Sequence, residues 1–342
     1  MTHQLRLSEE SERQSITFID LTTLFLAILA LSSAAIFIRL NEEHLGPNST
    51  IFNRFWVGAI VLGVGQMITM HRQPPAVTPP QPFTRQTLLL MLAMSCTFAG
   101  TLLTWSWSLT QTGVANSNLF HNVTPLFTTI GGWLFLRQRF NSRFLAGMIL
   151  ALAGAGLIAL EDWQASGEHL IGDAAAIGSA VLSAANLMLV EHLRTRFSAS
   201  TILLWCSAIG SVLTLPIVLL TGEPVFPNSG AGWLAVIAMS VVCQVIGQSL
   251  QAHNLKRFSA GFVAVFLLLD PILTAIFAWI MFAEQISIAS GLAFGLVLFG
   301  IYLAKSSHGV AKDGRNDSSQ NDSLIDSASQ LEVIPIQTLM TK

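Results

Sequence analysis

Ten stretches of about 20 predominantly apolar residues follow one another along the chain, with short polar breaks between them. A helix of about 20 apolar residues crosses the ~30 Å hydrocarbon core of a bilayer. The sequence therefore predicts an all-α polytopic membrane protein with ten transmembrane helices. The expected spans are 18–38, 51–70, 87–109, 114–136, 143–160, 171–191, 201–220, 232–252, 260–282 and 287–304. Because the break at Gln111-Thr112-Gly113 is weak, eight or nine spans are the alternative counts.

The composition excludes several other classes of protein. Only 11% of the residues are charged, whereas a soluble domain carries about 25%. So few charges cannot cover the water-facing surface of a soluble enzyme or a secreted module. The net charge of −2 provides no basic field for nucleic acid, so we expect no nucleic-acid partner.

The distribution of lysine and arginine predicts the orientation in the membrane. If the N-terminus is cytoplasmic and ten helices alternate, 15 of the 17 cations lie on the cytoplasmic side, and only Arg39 and Arg54 lie outside. We therefore expect a multi-pass protein of the plasma membrane with both termini cytoplasmic. Residues 1–17 form the predicted cytoplasmic N-terminal segment. Residues 305–342, rich in Ser, Asp, Asn and Gln, form the predicted disordered cytoplasmic tail.

The chain also contains an internal repeat. A shift of 146 residues superposes 118–158 on 264–304, with nine identities in about 41 positions and no gap. The most specific identities pair Pro125 with Pro271, Trp133 with Trp279 and Gly154 with Gly300. Each half, 18–160 and 171–304, therefore contains five predicted spans. Because five is odd, the second copy is inverted relative to the first, as in many secondary transporters.

The segments 113–160 and 262–304 resemble the fourth and fifth spans of an EamA domain, which belongs to the drug/metabolite transporter superfamily. Asn53-Arg54-Phe55 is similar to the arginine-containing entry to the family's second span, and Glu284 matches the glutamate of its polar turn. The first copy departs from the pattern, since Gln138 replaces that glutamate. The resemblance covers 18–304 and implies a ten-helix carrier of two inverted repeats that exports or exchanges small organic solutes.

Asp270 is the only acidic residue placed near the centre of a predicted span, and it directly precedes Pro271. Ionisable groups at membrane depth are expensive and usually functional. We hypothesise that Asp270 couples transport to protons; the alternative is a structural Asp bonded to a neighbouring helix. Because proline removes a backbone donor, Pro125 and Pro271 are predicted hinges in two interrupted helices.

Two polar faces are candidates for a substrate cavity. Asn118, His121 and Asn122 share one face of the fourth span, where their donors and acceptors suit a zwitterionic or hydroxylated solute. Gln244 and Gln248, followed by Gln251, form a stripe on the eighth span. The alternative for the first face is hydrogen bonding between helices. For the glutamines we favour cavity lining, because amides are costly against lipid.

Trp105 and Arg54 complete the predicted cavity residues. Trp105 stacks on a substrate or, alternatively, belongs to the interfacial belt of indoles. For Arg54 we favour extension of its head to the membrane interface; the alternative is attraction of an anionic substrate. Glu191 and His192, by contrast, are interpreted as an ordinary cytoplasmic helix end.

The motifs favour a secondary transporter of small organic metabolites, most simply an exporter. The alternatives are an intramembrane enzyme and a membrane sensor without transport activity. Neither a paired carboxylate nor an H-E-x-x-H motif occurs at depth, so we expect no catalytic residues, no metal site and no cofactor. The expected partners are a small-molecule substrate and the lipid bilayer, with a homodimer left open. Substrate identity and direction of transport are not encoded in a readable motif.

Overall fold

A computed structural model describes residues 18–41, 45–72, 84–112, 114–135, 137–160, 170–282 and 288–306. The predicted N-terminal segment, nearly all of the predicted tail and Glu284 lie outside the described residues. Most of the described residues are helical, and none of them lies in an extended strand. This confirms the all-α prediction for that part of the molecule.

Within the described ranges, seven helices are long and apolar enough to cross a membrane. They are α1 (Phe18–Asn41), α2 (Pro47–Arg72), α3 (Arg85–Gln111), α6 (Leu170–Leu193), α7 (Ala199–Thr221), α8 (Gly230–Asn254) and α9 (Ala260–Phe282, in three consecutive segments). The remaining helices are α4 (Val114–His121 and Thr124–Phe135), α5 (Ser142–Leu160) and α10 (Ile288–Lys305). Each helix overlaps one predicted span, while a count of ten membrane crossings stays a prediction.

Both helices with a predicted hinge are interrupted just before their proline. Helix α4 is broken after His121 and restarts at Thr124, next to Pro125. Helix α9 changes at Leu267–Leu269 into a short 3₁₀ turn and resumes at Asp270, next to Pro271. Proline lacks the N–H that would continue the ladder. The repeated proline therefore marks a repeated interruption of the helix.

Helices α5 and α10 cross at close backbone distance. A Cβ added to Gly300 would lie 2.5 Å from the backbone nitrogen of Ala151, and a Cβ on Gly147 would lie 2.5 Å from that of Ala304. Glycine is needed on both helices because any side chain would meet the backbone of the other. Further extensive packing joins α3 to α6, α2 to α7, α1 to α8 and α4 to α9.

One end of the bundle, here named the Arg257 end, gathers the starts of α1, α7 and α9 and the ends of α2, α6 and α8. Arg257 forms an ion pair with Asp20 at 2.9 Å. Glu191, at the end of α6, accepts hydrogen bonds from the backbone N–H of Ala260 at 2.9 Å and from the Gln138 amide at 3.0 Å. The interpretation of Glu191 as an ordinary helix end is wrong, because its carboxylate is buried and joins three segments.

The opposite end, here named the Asp173 end, is also held by side chains from both halves of the sequence. Thr112, which follows α3, donates to Asp173 at the start of α6 at 2.8 Å. Glu223, which follows α7, accepts from the Asn48 amide at 2.6 Å and from the backbone N–H of Ser49 at 2.8 Å. A carboxylate is stabilised at the N-terminus of α2 by unpaired N–H groups and by the helix dipole.

Apolar side chains cover much of the outer surface. The exposed set includes Phe135, Val212, Leu220, Leu234, Leu292 and Phe299. A soluble protein rarely exposes apolar patches of this extent. These side chains suit contact with lipid, and the polar residues discussed below lie inside the bundle.

Candidate functional site

A narrow cavity lies among α3, α6, α7 and α8. Its volume is about 10 Å³, which is room for about one water molecule. It is lined by Met94, Phe98, Asn186, Leu187, Val190, Leu203, Cys206, Gln248, Gln251, Ala252 and Leu255. The lining comes from the first half of the sequence through α3 and from the second half through the other helices. At this volume the cavity has no room for an organic solute.

Amide groups provide the polar part of the cavity wall. Gln248 and Gln251 line it, and neither side chain has a hydrogen-bond partner within the described part of the chain. Asn186 also lines the cavity and donates to the backbone carbonyl of Met94 at 2.9 Å. Sequence reasoning missed Asn186, although the cost of an amide in an apolar span would have identified it as well. Unpaired amides facing a cavity can bind a polar group of a ligand.

Arg54 points into the protein. Its Nε donates to Gln244 Oε1 at 2.9 Å, and the Gln244 amide nitrogen donates to Ser207 at 3.2 Å. The guanidinium carbon lies 5.8 Å from the ring centroid of Phe98, a residue of the cavity wall. Arg54 is thus buried, so the favoured interpretation, in which its head extends to the membrane interface, is wrong.

The glutamine stripe on α8 is divided between two environments. Residues Ser240–Gly247 form a π-helical segment, which is wider than an α-helix and often occurs at functional sites. Gln244 lies within this segment and contacts Arg54, whereas Gln248 follows it and lines the cavity. The predicted α-helical spacing therefore does not put both side chains into one cavity in this conformation.

Asp270 is bonded across the two halves. Ser32 of α1 donates to its carboxylate at 2.6 Å. Cys243 lies within electrostatic range of both Asp270 and Arg54, and its thiol donates to the carbonyl of Ala30 at 3.3 Å. Asp270 does not line the cavity. Asp270 and Arg54 thus both lie near the Cys243 thiol.

The predicted polar face of α4 forms a separate cluster. His121 Nδ1 lies 2.8 Å from the Ser179 hydroxyl of α6, and the His121 ring is 6.2 Å from that of Trp105. The indole N–H of Trp105 is buried and has no hydrogen-bond partner among the described residues. Asn118 and Asn122 are half-buried beside His121. None of these side chains lines the cavity.

The helical fold, the apolar outer surface and the polar side chains inside the bundle define a multi-pass membrane protein. Residues 19–160 and 170–305 match the model of the EamA-like transporter family. The chain belongs to this family, which confirms the resemblance found in the sequence.

Named relatives agree with this assignment. An uncharacterized transporter of Archaeoglobus fulgidus is 24% identical over 284 residues, which cover 82% of this chain and 95% of that protein. The mouse protein solute carrier family 35 member G1 is 24% identical over 176 residues, about half of each chain. A solved crystal structure of another protein has a TM-score of 0.70 at 18% identity, covering 83% of this chain and 96% of that one. The last likeness concerns the fold alone.

Proposed function

We propose that the protein is a secondary carrier that exports small organic metabolites across the plasma membrane. It consists of two inverted five-helix repeats, with both termini cytoplasmic, and Asp270 carries a coupling proton. The observation that carries the proposal is the narrow cavity between helices of both halves, with unpaired amides in its wall. A carrier needs such a binding space, closed in one conformation and open in others.

The packing of the helices supports two inverted copies. If α6–α10 repeat α1–α5, the contact of α3 with α6 corresponds to the contact of α8 with α1. Three further contacts join a helix to its own counterpart in the other half, as expected for helices on either side of a pseudo-twofold axis. They are α2–α7, α4–α9 and α5–α10. The family model also matches two consecutive stretches of similar length.

The hydrogen bond between Ser32 and Asp270 supports the proposed coupling. It joins α1 to the interrupted helix α9, so a change in the protonation of Asp270 alters a contact between the two halves. A carboxyl group that binds a proton on one side and releases it on the other would link that contact to the direction of transport.

The proposal is tested with purified protein in proteoliposomes that contain a pH-sensitive dye. Amino acids, amines, nucleobases and simple carboxylates are added to wild type and Asp270→Asn. We expect solute-dependent proton movement in wild type and none in the variant, while solute counterflow, which needs no net proton movement, continues in both. Equal proton-linked flux in both proteins would make Asp270 structural. Absence of flux for every solute, from protein with an intact melting transition, would contradict the carrier proposal.

A further inference from the structure

Arg54 is a buried cation that forms no ion pair within the described part of the chain. Its side chain is 7% exposed. Within the described residues, the ion pair is that of Arg257 with Asp20, and no carboxylate lies within 4 Å of the Arg54 guanidinium. Its hydrogen bond goes to a neutral amide. Because an unpaired buried charge is strongly unfavourable, this arrangement favours binding of an anion from outside the protein.

The geometry of Arg54 leaves the carboxylate-binding side of the guanidinium unused. Gln244 occupies Nε, whereas the two Nη groups have no hydrogen-bond partner in the described part of the chain. Two Nη groups present parallel N–H bonds that match the two oxygens of a carboxylate. The hydrogen bonds from Gln244 to Arg54 and Ser207 hold the fork in place without neutralising its charge.

The guanidinium is separated from the cavity by one aromatic ring. Phe98 lines the cavity and also lies beneath Arg54, with 5.8 Å between the guanidinium carbon and the ring centroid. Cys206, a second residue of the cavity wall, is within electrostatic range of Arg54. Arg54 therefore lies behind this part of the cavity wall.

The remaining cavity wall restricts the rest of the ligand. Met94, Leu187, Val190 and Leu203 are apolar. Gln248 and Gln251 are neutral, and the wall contains neither an acidic side chain nor another cation. A second charge on the ligand would thus be unpaired, whereas an apolar body with one or two hydrogen-bonding groups would be accommodated.

We infer that Arg54 binds the carboxylate of the transported solute and that the protein selects small monocarboxylates with an apolar body. The inference rests on the proposed carrier function and assigns a substrate class to the same site. Phe98 packs against the apolar body, and the unpaired amides bind its polar substituents.

Ligand binding is measured directly, by the rise in melting temperature of the detergent-purified protein. Phenylacetate is compared with phenylacetamide, which has the same body without the charge, and with sodium chloride. We expect phenylacetate to raise the melting temperature of wild type and of Arg196→Gln, an exposed matched control. Phenylacetamide is expected to have little effect. In Arg54→Gln the apparent affinity for phenylacetate should fall about 10- to 100-fold, the usual effect of losing a charged hydrogen bond.

Arg54→Lys keeps the charge and loses the planar fork. This variant keeps the proposal testable if Arg54→Gln does not fold. We expect Arg54→Lys to have a basal melting temperature similar to that of wild type and to bind phenylacetate more weakly. Equal responses of wild type to phenylacetate and phenylacetamide would overturn the inference, whatever the variants do. A response to chloride as large as that to phenylacetate would also overturn it, since the site would then bind inorganic anions.

The two proposals fail separately. If amines or nucleobases are transported but no carboxylate binds, the carrier function stands and the assignment of monocarboxylates as the substrate class is wrong. Arg54-dependent binding of phenylacetate without flux of any solute would support the site and contradict the carrier function.

Discussion

Ser32 Oγ lies 2.6 Å from a carboxylate oxygen of Asp270 and joins α1 to α9 across 238 positions of the sequence. The bond meets α9 at the point where its 3₁₀ turn ends and the proline-containing segment begins. The bond therefore joins the proposed proton carrier to the interrupted part of α9.

Removal of the Ser32 hydroxyl should destabilise the protein through Asp270 alone. Ser32→Ala leaves a buried acceptor without its donor, which costs about 1–3 kcal/mol and lowers the melting temperature in detergent. Thr22→Val is the matched control, because the exposed Thr22 hydroxyl bonds to the Phe18 carbonyl within its own helix. In Asp270→Asn, the further effect of Ser32→Ala should be smaller than in wild type. Purely additive effects would show that the pair does not interact energetically.

Gln138 stands where the related turn of the family has a glutamate, and its partner explains the difference. Its amide nitrogen donates to Glu191 at 3.0 Å. A glutamate at 138 would oppose a second carboxylate, so Gln138→Glu should lower the free energy of unfolding by roughly 2–4 kcal/mol. Thermal unfolding of the purified variant measures this loss.

The exchanged pair provides the control for this prediction. In Gln138→Glu with Glu191→Gln, the new amide can accept from Ala260 N–H and donate to residue 138, so much of the lost stability should return. His192→Ala, at the exposed neighbour of Glu191, should have little effect. If the exchange restores nothing, the contact between residues 138 and 191 does not determine the stability of this end.

The sequence was sufficient to predict the helices and their interruptions. Each described helix overlaps a predicted span, and the repeated prolines coincide with breaks in α4 and α9. These features depend on local physics: hydropathy over about 20 residues, and the missing N–H of proline. These features can therefore be predicted from one sequence without knowing how the helices pack against each other.

The pairing of polar side chains could not be predicted in the same way. Ser32 with Asp270 and Gln138 with Glu191 depend on how the helices pack, which hydropathy does not encode. The π-helical segment of α8 also changed the expected face of Gln244, because the prediction assumed regular α-helical spacing. Periodicity identifies which polar residues lie in a span, whereas tertiary packing decides which of them meet.

The close crossing of α5 and α10 predicts a position-specific effect of glycine substitution. A Cβ on Gly300 would lie 2.5 Å from Ala151 N and 2.6 Å from the Gly147 carbonyl oxygen, whereas a Cβ on Gly295 would meet nothing within 4 Å. Gly300→Ala should therefore destabilise the protein by about 1–3 kcal/mol, and Gly295→Ala should not. The melting temperatures of the two variants test this. Equal losses would mean that α10 does not present Gly300 to α5.

The ion pair between Arg257 and Asp20 should help to keep the cavity closed at the Arg257 end. Cys206 lines the cavity and is 1% exposed, so its labelling reports opening. With Cys96 and Cys243 replaced by serine, Cys206 is the last of the three cysteines in the chain. Arg257→Ala should increase its labelling by a membrane-impermeant thiol reagent roughly 2- to 5-fold, the effect expected from losing a partly exposed ion pair.

Lys256→Ala removes the adjacent exposed cation, for which no ion pair is seen in the described chain, and should leave the labelling rate unchanged. The reagent is added to right-side-out and to inverted vesicles, and the increase should appear only in inverted ones, where the predicted cytoplasmic face is accessible. An increase only in right-side-out vesicles would reverse the proposed orientation while preserving the closing role of the pair.

Because the pair is partly exposed, 1 M salt should raise wild-type labelling towards that of Arg257→Ala. If neither 1 M salt nor the Arg257→Ala substitution changes the labelling rate, the buried contacts of Glu191, and not the ion pair, keep this end closed.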